Sequence, residues 1–304
     1  MNTQSDAILN STVESQAAAP AVISATQRMY WSVRRELWEN RSIYIAPLVV
    51  AALLLFGFLI ASLGRALSTA NLDQRRAVLE ERSMFVAFLL MGTTFVVGVF
   101  YCLDALHGER RDRSIMFWKS LPVSDLTTVL SKASIPIVVL PLITFATTVV
   151  TQFIMMMLSS MVLLGSGMSL SPLWARSSLL LMPLALLYHL VIIHGLWYAP
   201  FYGWLLLVSA WARRAAFLWA ALPVVAIGIV EKLAFNTTHF VAVLGHRLGG
   251  GGEASSAAGR MAMDPMLKLA PLGILISPGF WIGLAITAAF LAAAVRVRRY
   301  QGPI

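Results

Sequence analysis

The 304-residue chain is 59% hydrophobic and only 12% charged, with a mean hydropathy of +0.77, which excludes an ordinary soluble domain and marks an integral membrane protein. Its net charge of +9 raises nucleic acid as a partner, but the Lys and Arg residues gather beside hydrophobic runs, as the positive-inside rule requires, so no nucleic acid is expected. The one cysteine, Cys102, excludes an intrachain disulfide and lies in an apolar run as a small core residue.

Residues 1–27 hold no Lys or Arg and read as a disordered cytoplasmic tail without the cationic start of a secretory signal. Residues 28–42 follow as an amphipathic elbow helix. Tyr30, Val33, Leu37 and Trp38 recur at helical spacing against Arg34, Arg35, Glu36 and Glu39, a pattern that lays a helix in the membrane plane.

A transmembrane domain occupies 43–300, with lipid-length segments at 43–63, 84–106, 134–164, 177–209, 215–233 and 272–295. The fourth is long for one helix and short for two, and Pro183 and Pro200 are placed to kink it. Charge parity decides its count. One span here leaves most cationic residues on the side of Arg28, Arg110 and Arg213, with Arg296, Arg298 and Arg299 on that same side; two spans would send that last cluster outward. The expected fold is all-α, with six transmembrane helices behind the elbow and both termini cytoplasmic. The outer loop 234–271 contains a Gly-rich stretch that reads as a hinge or disorder, since no Gly-Lys-Ser/Thr follows it.

Enzymatic residues are scarce. No Gly-Lys dipeptide occurs, so ATP hydrolysis is not expected from this chain, and neither a metal-binding motif, a cofactor motif nor a paired-acid site is visible. His189 and His194, five apart in the fourth span, do not share a face of an α-helix and read as pore-lining or interhelical polar groups. Glu231 closes the fifth span, within reach of the interface, and reads the same way. A midplane acid, usual in ion-coupled carriers, is missing.

The densest chemistry lies in 101–124, between the second and third segments, and continues as a cytoplasmic loop over 107–133. Asp104, Glu109, Arg110, Arg111, Asp112 and Arg113 precede Ile115, Met116, Phe117 and Trp118, then Leu121 and Pro122. Large apolar residues inside a charged loop need a cover. From the residues alone the cover is either the headgroup layer, as for an interfacial helix, or a protein partner. After Pro122, Ser124 and Asp125 are placed to cap a helix running toward Lys132.

This stretch, with Leu103-Asp104-Ala105-Leu106, Glu109-Arg110, Ser114-Ile115 and Trp118-Lys119-Ser120-Leu121-Pro122-Val123-Ser124, resembles the first cytoplasmic loop of permease subunits of type-2 ATP-binding-cassette (ABC) transporters. The resemblance implies an inner-membrane exporter permease paired with a second copy or a sister permease. It also implies two ABC ATPase subunits docked on this loop. On that reading Ile115 to Trp118 fill a groove on the ATPase, while Glu109, Arg110, Arg111 and Arg113 make rim charge pairs. A non-transporting membrane anchor of a cytosolic partner, or a stand-alone carrier, is the rival expectation.

Overall fold

A computed structural model describes residues 24–66, 72–120, 123–165, 186–248, 275, 277–300 and 302. Every regular element among them is helical. Helix α1 (Ala25–Glu39) begins inside the stretch expected to be tail, because the Ser24 hydroxyl accepts the Gln27 N–H at 3.2 Å and caps it. Helices α2 (Ser42–Ala66) and α3 (Leu72–Ala105) follow, then two short loop helices, α4 (His107–Arg111) and α5 (Ile115–Ser120).

Helix α6 (Asp125–Ser134) starts where its sequence signal lies. Ser124 accepts the Thr127 N–H at 3.1 Å, Asp125 sits in the first turn and Lys132 in the last. The helix passes through a π-helical stretch, Ile135–Val139, into α7 (Leu140–Gly165). Beyond lie α8 (Leu186–Trp197), α9 (Ala199–Trp211), α10 (Ala216–Phe235), α11 (His239–Leu248) and α12 (Pro278–Tyr300).

Among the described residues, five helical stretches are long and apolar enough to cross a bilayer: Ser42–Ser62, Glu81–Arg111, Asp125–Val162, Ala216–Phe235 and Pro278–Tyr300. The pair α8 and α9, bent by 44°, makes a sixth if it is one span. The bend falls at Tyr198, with Pro200 in the first turn of α9, so one of the two expected kink residues sits at the break. Pro183 lies outside the described residues. The protein is a multi-pass, all-helical membrane protein.

Helix α9 is the hub, packing most extensively on α12 and also on α3, while α2 packs on α7 and α3. Ile43, Tyr101, Cys102, Ile135, Leu140 and Tyr202 form the central core. Cys102 is a buried free thiol. The π-helical stretch at Ile135–Val139 meets a second one, Leu190–Trp197, which occupies most of α8. They approach so closely that a Cβ on Gly195 would stand 2.5 Å from the Ile137 carbonyl oxygen, so only glycine fits there.

Helix α1 departs from its expected orientation. Glu36, assigned to a solvated face, is fully buried together with Ser32, and Val33 and Leu37 pack on the central core. Tyr30, Trp31 and Trp38 are exposed, with the Arg34 guanidinium 5.1 Å from the Trp31 ring centroid and 4.8 Å from that of Trp38. Of the polar set, Glu36 turns inside, where it meets Lys132 from another helix.

Candidate functional site

Those charges form one cluster at the ends of four helices. Lys132 Nζ of α6 stands 2.9 Å from Glu36 Oε1 of α1 and 3.1 Å from Glu109 Oε1 of α4. Arg298 of α12 pairs through Nη1 with Glu109 Oε2 and through Nε with Asp125 Oδ1, the latter at 3.0 Å. Arg35 reaches Glu36 at 2.9 Å and Glu109 at 3.6 Å. The Tyr101 hydroxyl donates to Glu36 Oε2 at 2.8 Å. Glu39 Oε1 also stands 3.6 Å from Arg35 Nε, so four carboxylates, Glu36, Glu39, Glu109 and Asp125, face three cations, Arg35, Lys132 and Arg298.

Glu36, Glu109, Lys132 and Arg298 are all buried, and buried charges persist only when paired and hydrogen-bonded. Burial by itself pushes the Glu36 carboxyl upward, but Lys132 and Arg35 together outweigh it and hold the group below its ordinary value.

A second set of contacts fastens the same loop to the end of α9. The Ser209 hydroxyl accepts the Leu106 and His107 N–H groups at 3.0 and 2.9 Å and donates to the Leu103 carbonyl at 2.8 Å. Arg110 Nη1 donates to the Ala210 carbonyl at 2.7 Å and to Ala212 at 3.3 Å, and its Nε donates to Gly302 at 3.3 Å. His107 Nδ1 donates to the Ala212 carbonyl at 3.1 Å, since a carbonyl only accepts. A cation and donors at a helix C-terminus satisfy its free carbonyls and its dipole.

The structure therefore divides the expected docking set. Glu109 and Arg110, expected on a rim, are buried inside the chain, and Ile115 is 1% exposed. They build the platform. Beyond Arg110 the chain turns outward through Arg113, whose φ of 59° is left-handed. Met116 and Phe117 are then 59% and 60% exposed. Phe117 stacks edge-on against Trp118, 5.0 Å between centroids, and Trp118 carries the Arg35 guanidinium 3.9 Å from its ring centroid. Asp104 and Arg111, both exposed, pair at 3.8 Å. Leu121 and Pro122 lie outside the described residues.

Sequence reading missed Arg35, Glu36, Lys132 and Arg298, because each sits on a charged helix face or at a helix end, where a charge has an ordinary local explanation. The one available signal was that helix ends rich in opposite charges converge if the spans run antiparallel.

The histidines also differ from expectation. Hydrogen bonding of the i→i+5 kind in the π-helical Leu190–Trp197 brings residues five apart toward one face, so His189 and His194 both line a cavity of about 210 Å³ with Phe88, Phe95 and Tyr198. Glu231 is not part of it. Its carboxylate accepts the His239 N–H at 2.6 Å, the Phe240 N–H at 2.8 Å and the Thr237 hydroxyl at 2.9 Å, and so caps α11.

Comparison with protein-family models, with curated proteins and with solved structures gives no match.

Proposed function

We propose that the chain is the membrane-spanning permease subunit of an ABC-type exporter, seated in an inner membrane with both termini cytoplasmic and α1 lying as an elbow in the membrane plane. The observation that carries this reading is the construction of the 104–124 loop. An exposed apolar tip, Met116 and Phe117, stands on a base held to α1, α6, α9 and α12 by buried ion pairs and backbone caps. A loop that only lay in the headgroup layer has no use for a base of this rigidity. A loop that must pass force from a moving partner into several spans does.

In this role Met116 and Phe117 enter a groove on a separate ATPase subunit, with Asp104, Arg111 and Arg113 at the rim. Trp118 couples that contact to α1 through Arg35. Two ATPase chains and a second permease, a copy or a sister, complete the assembly. The elbow's exposed Tyr30, Trp31 and Trp38 suit the headgroup layer, where aromatic rings with a polar edge concentrate.

The test is co-purification from native membranes in mild detergent, comparing wild type with Phe117→Ala. The expected result is recovery of an ABC ATPase with wild type and loss of roughly tenfold or more in the variant, the size of a central apolar anchor, with unchanged thermal stability of the permease. Recovery of no ATPase from an intact wild-type protein would transfer the reading to a membrane anchor or a stand-alone carrier.

A further inference from the structure

The cavity at the π-helical part of α8 has features that the loop and its partner do not use. His194 is 3% exposed and its Nε2 has no hydrogen-bond partner. A buried polar nitrogen left so loses the hydrogen bond that water would give it. Its ring lies edge-on to Phe95 and Tyr198, at 6.3 and 5.7 Å between centroids, and both rings line the same cavity. The Tyr198 hydroxyl is already committed to the Leu248 carbonyl at 2.8 Å. The two imidazoles are thus the polar groups available in an otherwise aromatic and aliphatic wall.

The mouth lies on α3. Phe88 is 72% exposed and Gly92 is exposed beside it, with nothing within 4 Å of where its Cβ would be. Both residues fall in the candidate span Glu81–Arg111, so an opening there lies on a segment long and apolar enough to cross a bilayer.

We infer that this cavity is a binding site for a small aromatic amphiphile of the phenol class, entering from the bilayer, its ring held among Phe88, Phe95 and Tyr198 and its hydroxyl shared with the histidine pair. The volume admits one or two rings; an engineered apolar cavity of ~150 Å³ takes benzene. The aromatic wall favours edge-to-face contact with a ring over contact with a flexible chain. A neutral imidazole both donates and accepts, so it matches a hydroxyl in either direction. The inference stands on the cavity alone and does not depend on an ATPase partner.

The test is photolabelling of the purified protein in lipid nanodiscs with 4-hydroxybenzophenone, with benzophenone as the probe lacking the hydroxyl, and mapping of adducts by peptide mass spectrometry. Expected is saturable labelling of peptides containing Met91 and Ile193, displaced by excess phenol. His194→Leu reduces labelling by the hydroxylated probe about fivefold, the worth of one hydrogen bond, to the level of benzophenone. Gly92→Leu fills the mouth without meeting backbone and abolishes the saturable component, while leaving thermal stability and any ATPase co-purification as in wild type. Labelling that is non-saturable, equal for both probes, or unaffected by Gly92→Leu would mean a groove filled by lipid chains and would overturn the inference.

Discussion

Lys132 is the residue on which much of the buried charge depends, since it bridges Glu36 and Glu109 at 2.9 and 3.1 Å and is itself buried. Lys132→Met leaves two buried carboxylates short of a partner, and removing one member of such a set costs about 3–5 kcal/mol. The expected outcome is a large fall in thermal unfolding temperature in detergent, together with proteolytic release of α1. An unchanged temperature would show that water reaches the cluster. The pH response has a definite sign. The Glu36 carboxyl is held below its ordinary value of 4.5, so its contribution is fully present above that value and is lost as pH falls through the lowered one. Protection of α1 from protease should therefore hold from pH 7 to pH 5 and decline only in stronger acid, and Glu36→Gln should lack this acid-dependent step. None of this pairing was legible residue by residue. Ser124, Asp125 and Lys132 announced a helix, which formed as expected, but the sequence contains no sign that Lys132 would face inward. Side-chain direction there is set by α1 and α12 packing on α6.

At the scale of elements, the spans were legible because length and apolarity are local properties, and the kink at Tyr198 followed from Pro200. The two π-helical stretches were not. A uniformly apolar run has no periodicity to betray a change from i+4 to i+5 bonding, and the histidines therefore looked as though they diverged. The close approach of the two stretches rests on Gly195, whose missing side chain lets them touch. Gly195→Ala places a methyl group against the Ile137 carbonyl, and such overpacking costs about 1–3 kcal/mol. It should lower the unfolding temperature of the protein, whereas Gly92→Ala, with open space around its Cβ, should not. Equal behaviour of the two variants would contradict the close approach. Helix α1 teaches the converse point. Its amphipathic pattern was readable, but which face met the protein was not, because exposed tryptophans and a buried glutamate invert the usual rule.

For the whole molecule, burial is unequal. Helix α10 is the least enclosed of the five spanning stretches, with Ala216 and Ala220 its buried positions, while Leu222, Val225 and Ile229 are exposed. Such a surface meets lipid or another chain. In the proposed assembly α10 is the face offered to a second permease, and Leu222→Cys should give a disulfide-linked dimer in native membranes under mild oxidation. Cys102, sealed in the core, will not contribute. A monomer under those conditions would leave α10 to lipid.

The cluster of Glu36, Glu109, Asp125, Arg35, Lys132 and Arg298, with Glu39 at its edge on Arg35, pairs opposite charges around a buried centre of Glu36, Glu109, Lys132 and Arg298, and this restricts how the sequence can drift. A single change of sign strands a charge, so viable descendants must alter these positions in concert. Across diverging descendants, residues 36, 109, 132 and 298 should then covary strongly, although 36 and 298 lie near opposite ends of the chain. The exposed loop tip, by contrast, should track the partner it meets.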